Sequence, residues 1–129
     1  MKHIDPRTVS TAALAYLGDA VIEICVRARL VERGISSSKN LNAGARAYVT
    51  APAQAAAMER LTPHLSEEEL AVFRRGRNVG HTNTPKRATV AEYRSATGME
   101  ALFGYLYATV QAERIDTLFA LAYPEDPAP

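Results

Sequence analysis

Two carboxylates stand in the most apolar segments of this sequence of 129 residues. Asp19 lies in the segment ALAYLGDAVIEICV, and Glu100 lies in the segment MEALFGYLY. An ionised carboxylate surrounded by apolar side chains is unstable unless it is protonated, paired with a base or bound to a cation. The sequence therefore predicts that both carboxylates are buried and that each has such a partner.

Neither segment offers a lysine or an arginine within one turn of the carboxylate. The nearest base to Asp19 on its own helix is Arg27, and the nearest to Glu100 is Arg94, each about two turns away. Mg²⁺ accepts one or two carboxylates and keeps water or phosphate oxygens as its other ligands. A magnesium site that joins the two carboxylates is therefore one hypothesis. The alternative is a buried hydrogen bond for Asp19 and an ion pair of Glu100 with a distant arginine.

Glycines accompany both carboxylates along the chain. Gly18 precedes Asp19, and Gly104 lies one turn after Glu100. Small residues at these positions would let two helix backbones approach closely. We therefore expect the glycines to bring the two carboxylates together.

The other side chains that bind metals or act as nucleophiles are isolated in the sequence. Cys25 is the single cysteine, so it offers no zinc spacing, and we expect it to be a small buried residue in a reducing compartment. Glu23 is placed to pair with Arg27 at the i+4 position. The three histidines are expected to be solvated: His3, His64 and His81.

Helix-forming residues dominate the whole chain, and no alternating run of Val, Ile and Thr indicates a strand. The length leaves no room for a second domain. We therefore predict an all-α, single-domain helical bundle over residues 1–123, followed by a disordered tail over 124–129. The N-terminus has charges where a signal peptide is apolar, and no apolar run approaches the roughly 20 residues of a membrane span. The sequence predicts a cytoplasmic protein without a membrane segment.

Capping residues mark the helix starts. The first helix is predicted to begin at Ser10 or Thr11 and to end at Gly34, and the second to cover about Leu41 to Tyr48. The remaining start signals are Thr50 with Pro52 for the third helix, a capping box of Ser66 and Glu69 for the fourth, a capping box of Thr89 and Glu92 for the fifth, and Asp116 for the last.

Three helix ends are also predicted. Gly76 is expected to stop the fourth helix after about Arg75, which leaves residues 76–89 as an exposed basic loop. The fifth helix is expected to reach the region of Glu113. The last helix would then be short and contain LFALAY.

The two acidic segments resemble those of the ribonuclease III family. LGDAVIE is similar to the LGDAVLE core of the family signature, and MEALFGYLY is similar to the VEALIGAIY-like segment of its second acidic site. The chain is more similar still to the short Mini-ribonuclease III branch, which lacks the double-stranded RNA-binding domain. Four stretches match that branch in the same order: ALAYLGDAVIE, RRGRN, TPK and YRSATGMEALFGYL.

This resemblance implies the ribonuclease III endonuclease fold and a Mg²⁺-dependent endoribonuclease that cleaves double-stranded RNA to 5′-phosphate and 3′-hydroxyl ends. Asp19 matches the aspartate essential for catalysis, and Glu100 matches the glutamate that ligates Mg²⁺. The Mini branch implies the precursor of large-subunit ribosomal RNA as substrate, trimmed at both ends. Whether a ribosomal protein presents this RNA to the enzyme is left open by the sequence. The alternative is a non-catalytic helical module that binds structured RNA or the ribosome.

Three positions depart from ordinary ribonuclease III. Ala12 and Ala15 stand where that family has glutamates, and Thr97 stands where it has an aspartate. The Mini branch shows similar departures. Because fewer anionic ligands bind a cation more weakly, we expect a higher Mg²⁺ requirement than that of a four-carboxylate site.

Members of the family act as homodimers, and the long apolar first helix is a candidate dimer surface. The alternative is that this helix is buried inside one subunit.

Charge along the chain is uneven: the net charge is +1, but residues 74–94 carry six bases and one acid. Double-stranded RNA is recognised mainly through phosphates and 2′-hydroxyls. The candidate RNA-binding residues are Arg74, Arg75, Arg77, Asn78, Lys86 and Arg87; the alternative is a solvated basic face.

Overall fold

The computed structural model describes residues 4–79 and 88–125, and within these ranges the chain forms six α-helices and no strand. The all-α prediction is therefore confirmed. The helices are α1 (Thr11–Glu32), α2 (Ser38–Val49), α3 (Ala51–Leu61), α4 (Glu67–Arg77), α5 (Val90–Ala108) and α6 (Ala112–Ala122). Short 3₁₀ turns cover Pro6–Thr8 and Thr62–His64.

Helix α5 is the centre of the bundle. It packs against α1, α3, α4 and α6, so apolar side chains occur around most of its circumference. Four of its large side chains are fully buried: Met99, Leu102, Phe103 and Leu106. The neighbouring helices contribute Ile22 of α1, Leu61 of α3 and Leu118 of α6 to the same core. The position of α5 therefore fixes where Glu100 lies.

The predicted helix starts at α1, α3, α4 and α5 are confirmed. The hydroxyl of Ser10 accepts a hydrogen bond from the backbone N–H of Ala13 at 3.0 Å, which satisfies a free donor of the first turn. Both capping boxes are formed, at the starts of α4 and α5. Gly34 follows the end of α1 with φ +83°, a conformation that glycine adopts without steric cost.

The predicted start of α2 is wrong by three residues. The helix begins at Ser38, because the Ser37 hydroxyl accepts a hydrogen bond from the backbone N–H of Asn40 at 3.2 Å. The serine-rich run thus supplies a cap and a first turn. A local capping bond outweighs the low helix propensity of this run.

The predictions for the ends of α4 and α5 are also wrong. Helix α4 continues through Gly76 to Arg77, because this glycine is buried against α5, where a Cβ atom would lie 2.8 Å from the Cα of Gly98. Helix α5 ends at Ala108, before the turn at Val110, whose φ is 58°. Helix α6 therefore begins at Ala112, earlier than the Asp116 cap predicts.

The C-terminal end of α6 is bound by arginines from two other helices. Arg29 of α1 donates to the carbonyl oxygen of Tyr123, and Arg60 of α3 donates to that of Ala122 at 2.7 Å. Helix α6 has no basic residue in its own last turn, so these guanidinium groups satisfy its free carbonyls. The Glu125 carboxylate lies 3.8 Å from the Nε atom of Arg29, which holds the start of the C-terminal segment against α1.

In the described part of the chain, no helix is both long enough and apolar enough to cross a membrane.

Candidate active site

Helices α1 and α5 cross with almost no space between their backbones. A Cβ atom at Gly18 would lie 1.6 Å from the carbonyl oxygen of Glu100, and one at Gly104 would lie 1.9 Å from the carbonyl oxygen of Leu14. No residue other than glycine fits at either position without moving a helix. The expectation that these glycines allow close approach is confirmed, and the crossing sets Asp19 beside Glu100.

The Asp19 carboxyl lies beside that of Glu100, close enough to act on it through its charge and a hydrogen bond. Glu100 is half-buried, and the pKa of its carboxyl is raised to about 8, first by burial, then by the charge of Asp19 and by their hydrogen bond. The Glu100 carboxyl therefore holds a proton at neutral pH. A buried acid beside a second acid is an arrangement that also binds divalent cations.

The expectation that both carboxylates are buried is wrong for Asp19, which is exposed. Its apolar neighbours in sequence do not surround it in space, because Tyr16 and Ile24 point to solvent with 85% and 68% of their surface exposed. Asp19 therefore lies at the border between the packed face of α1 and an open apolar face. The Asp19 carboxylate is therefore accessible to a cation or another ligand from outside the protein.

Bases do not neutralise the pair. Within the described ranges, no arginine or lysine forms an ion pair with Asp19 or Glu100, so the predicted alternative of a distant arginine is not found there. Glu23 instead pairs with Arg27 at 3.3 Å, as the i+4 spacing predicts. Among the described residues no group of three or more His, Cys, Asp and Glu side chains is arranged to hold a metal ion, so the site has two carboxylates.

A cleft of about 450 Å³ opens beside Glu100, between α5 and the start of α3. The α5 side is formed in part by Thr97, whose hydroxyl donates to the Tyr93 carbonyl oxygen at 3.1 Å. The α3 side includes Thr50 and Gln54, and Gln54 is only 4% exposed. Gln54 was not among the residues predicted from the sequence, although a single amide within the alanine-rich run AQAAAM is a signal that could have found it.

The three positions that depart from ordinary ribonuclease III differ in their surroundings. Ala12 is exposed on the first turn of α1, and Ala15 is buried against Val72 and Ala101. Thr97 borders the cleft one turn before Glu100. Of the three, Thr97 is therefore on the same cleft as the buried carboxyl group.

The described basic candidates lie at the end of α4, next to the segment of α5 that carries Glu100. Gly76 packs so closely that a Cβ atom there would lie 2.7 Å from the Cβ of Ala101 and 3.2 Å from the Thr97 carbonyl oxygen. The arginines on either side of Gly76 are exposed, namely Arg74, Arg75 and Arg77. Asn78, the C-cap of α4, is also exposed. The other two candidates, Lys86 and Arg87, lie outside the described residues.

The remaining candidate nucleophiles and ligands lie apart from this site. Cys25 is half-buried, and burial raises the pKa of its thiol to about 11, so the thiol is protonated at neutral pH. His64 is exposed, as predicted, and its backbone carbonyl accepts a hydrogen bond from Arg114. His3 and His81 lie outside the described residues.

The sequence and the fold are similar to those of known proteins. A family model for the Ribonuclease III domain matches residues 12–111. Mini-ribonuclease 3 of Symbiobacterium thermophilum is 48% identical over 122 residues, which cover 95% of this chain and 94% of the relative. Mini-ribonuclease 3 of Brevibacillus brevis is 42% identical over 119 residues, 92% of this chain and 89% of the relative. A crystal structure of a Fusobacterium nucleatum protein matches with a TM-score of 0.81 at 30% identity, over 92% of this chain and 94% of that one.

Proposed function

Because this chain belongs to the ribonuclease III family, whose members are endoribonucleases acting on double-stranded RNA, we propose that it cleaves duplex RNA with Mg²⁺ held by Asp19 and Glu100. The observation that carries this proposal is the pair of adjacent carboxyls at the crossing of α1 and α5. Family membership favours an enzyme over the non-catalytic module of the same ancestry.

The two carboxyls suit a hard divalent cation. Their oxygens are the ligand type that Mg²⁺ prefers, and Mg²⁺ needs only one or two carboxylates when water and phosphate complete its shell. At neutral pH the Glu100 carboxyl carries a proton at the place where positive charge is needed. Because a cation supplies that charge, its binding would release the proton from Glu100.

Each of the two residues has a distinct part in the proposed reaction. The bound ion would polarise the scissile phosphate and stabilise the charge that develops on its oxygens. Glu100, fixed by the packed centre of α5, would be the first carboxylate that holds the cation. Asp19, exposed on α1, would be the second carboxylate and is accessible from outside the protein. By resemblance, the products carry 5′-phosphate and 3′-hydroxyl ends.

We propose that the arginines around Gly76 hold the duplex against this site. Arg74, Arg75 and Arg77 are exposed, and the glycine between them packs on α5 within one turn of Glu100. Guanidinium groups form short, charge-assisted hydrogen bonds to phosphate oxygens. This arrangement suits recognition of the RNA backbone without reading of the bases.

We propose that the protein acts as a homodimer through the exposed face of α1. Tyr16, Ile24 and Val31 lie on that face with 85%, 68% and 63% of their surface exposed, and the exposed Ala20 and Ala28 fall between them. Ordinary surfaces rarely present a row of large apolar side chains along one helix. A second copy would cover this row and supply a second site for the opposite RNA strand.

The resemblance to the Mini branch supports a narrower substrate, the precursor of large-subunit ribosomal RNA, and a cytoplasmic location. A cell depleted of the protein is expected to accumulate that RNA with unprocessed 5′ and 3′ ends, mapped by primer extension and end sequencing. Mature ends in the depleted cell would contradict this substrate. Processing of protein-free precursor by the purified protein would show that no ribosomal protein is needed to present it.

The decisive experiment is incubation of a long RNA duplex and Mg²⁺ with the wild type and with Asp19→Asn. Cleavage by the wild type alone is expected, and Asp116→Asn, an exposed aspartate on α6, is the matched control that should cleave normally. Binding of the duplex by the wild type without cleavage would favour the non-catalytic module. In a magnesium titration, saturation only in the millimolar range is expected for two carboxylates, and saturation at micromolar Mg²⁺ would contradict the two-carboxylate site.

A further inference from the structure

Gln54 is the least exposed polar side chain on the cleft beside Glu100. It lies on α3, which packs against α5, and only 4% of its surface is exposed. The cleft of about 450 Å³ has Gln54 on its α3 side and Glu100 with Thr97 on its α5 side. The amide and the buried carboxyl group therefore line the same space.

The hydrogen bonds around the cleft leave this amide without a partner among the residues that the structure describes. The Thr50 hydroxyl accepts from the backbone N–H of Ala53 at 3.3 Å, and Glu100 is bonded to Asp19. No side-chain hydrogen bond links Gln54 to another described residue. The described part of the chain has no fully buried side-chain N or O atom without a hydrogen-bond partner, so the amide of Gln54 reaches the open space of the cleft, where it can contact a polar ligand.

The charge around the cleft indicates what kind of ligand this is. The cation site has only two carboxylates, so a bound Mg²⁺ would keep most of its water, and the hydrogens of those waters need acceptors. An amide oxygen is such an acceptor, and it adds no third negative charge to a site that already holds Asp19 and Glu100. A carboxylate at position 54 would be repelled by the carboxylates of Asp19 and Glu100 when no cation is bound.

We propose that Gln54 is a positioning residue of the cation site: its amide oxygen accepts hydrogen bonds from the hydration shell of a divalent cation held by Glu100. This inference rests on the cation site proposed above. It adds a third, neutral group to the two carboxylates, at a position where the family resemblance provides none. Groups that orient the ligands of a metal typically contribute 10- to 100-fold to metal affinity.

The test measures Mn²⁺ binding to the whole protein without RNA, by the electron paramagnetic resonance signal of free Mn²⁺. Gln54→Leu keeps the approximate volume and removes the acceptor, so Mn²⁺ should bind about tenfold more weakly. Gln54→Glu, measured at pH 9, supplies a charged oxygen and should bind on the order of tenfold more tightly. The matched control is Gln111→Leu, at the turn between α5 and α6, which should bind as the wild type does.

Two results would overturn the inference in distinguishable ways. If Glu100→Gln loses Mn²⁺ binding while Gln54→Leu binds as tightly as the wild type, Gln54 is not part of the site, even if RNA binding changes. If the wild type does not bind Mn²⁺, or Glu100→Gln binds it equally well, the proposed cation site itself is wrong. Should Gln54→Leu fail to fold, the Gln54→Glu variant decides: unchanged or weaker Mn²⁺ binding overturns the inference.

Discussion

Gly18 of α1 lies against the backbone of Glu100 in α5 so closely that a Cβ atom on the glycine would fall 1.6 Å from the Glu100 carbonyl oxygen. Backbone meets backbone at this point, so no change of side-chain rotamer can relieve a larger residue. The same contact that packs the two longest helices also places Asp19 next to the carboxyl group of Glu100. Stability and the geometry of the site therefore depend on one missing methyl group.

Gly18→Ala is expected to destabilise the protein by at least about 3 kcal/mol, the upper part of the range for overpacking, because α1 and α5 must separate. Urea unfolding followed by circular dichroism measures this free energy. Gly44→Ala is the matched helical control. Its Cβ would meet only the flexible Leu30 side chain, at 3.1 Å, so stability should change by less than about 1 kcal/mol. Equal effects of the two substitutions would contradict the close crossing.

Without divalent cations, stability is expected to fall as the pH rises from about 5 to 9. The pKa of Glu100 is about 8 in the folded protein against 4.5 as the ordinary value, so the native state binds more protons in between. The favourable contribution is complete below 4.5 and is lost as the pH passes 8. Each pKa unit corresponds to roughly 1.4 kcal/mol, so the loss is a few kcal/mol at most.

The measurement is urea unfolding in EDTA at pH 6 and pH 9. Glu100→Gln cannot titrate, so the stability of this variant should change less between the two pH values than that of the wild type. Mg²⁺ should restore stability to the wild type at pH 9 and have little effect on the variant. A wild-type stability that rises from pH 6 to pH 9 in EDTA, relative to the variant, would show that the carboxyl is not buried as described.

Arg114→Met is expected to destabilise the protein by roughly 3–5 kcal/mol, because it leaves a buried carboxylate unpaired. Arg114 donates two hydrogen bonds of 2.8 Å to Glu69, which is 4% exposed. The matched control is Arg27→Met, which breaks the exposed pair with Glu23 and should cost less than about 1 kcal/mol.

The same ion pair predicts a dependence on acid. The hydrogen bond from Arg114 lowers the pKa of Glu69, so the pair stabilises the fold above the ordinary value of 4.5 and is lost as the pH falls through the lowered one. Between pH 5 and pH 3 the free energy of unfolding of the wild type should therefore fall more than that of Arg114→Met, which has already lost the ion pair. Parallel acid curves for the two proteins would contradict this assignment.

Charge reversal at Arg75 and Arg77 together is expected to weaken binding of an RNA duplex and to flatten its salt dependence. Each phosphate contact that is lost lowers the slope of log K against log salt by about one. The readout is fluorescence anisotropy with labelled duplex in EDTA, so that cleavage does not interfere. Lys39→Glu with Arg46→Glu changes the net charge equally on exposed positions of α2 and is the control. Equal weakening by both pairs would indicate only a general charge effect.

The sequence predicts those features that depend on a few neighbouring residues. A capping bond joins residues three positions apart, so Ser10 and the box of Ser66 with Glu69 could be identified directly. The role of Gly76 could not, since the glycine signal is the same whether a helix stops or another helix packs against it. In this fold the second case holds, because α5 packs against Gly76 inside α4.

The candidate site was predictable to a similar extent. Asp19 and Glu100 could be identified because a carboxylate in an apolar segment needs a proton, a base or a cation as its partner. The exposure of Asp19 and the burial of Gln54 depend on which faces of α1 and α3 meet α5. A periodic pattern does not determine this when a helix is apolar around most of its circumference.

The exposed face of α1 leads to a prediction about assembly. Ile24→Lys should convert a dimer into a monomer of 14.0 kDa in light scattering, because a charge in the centre of an apolar interface cannot be solvated there. Val110→Lys is the matched control: Val110 is also exposed, at 67%, but lies in the turn between α5 and α6. A monomer has one pair of Asp19 and Glu100, so it should nick one strand of a duplex where the wild type cuts both. A wild type that is already monomeric, or an Ile24→Lys variant that stays dimeric, would show that this face is not the interface.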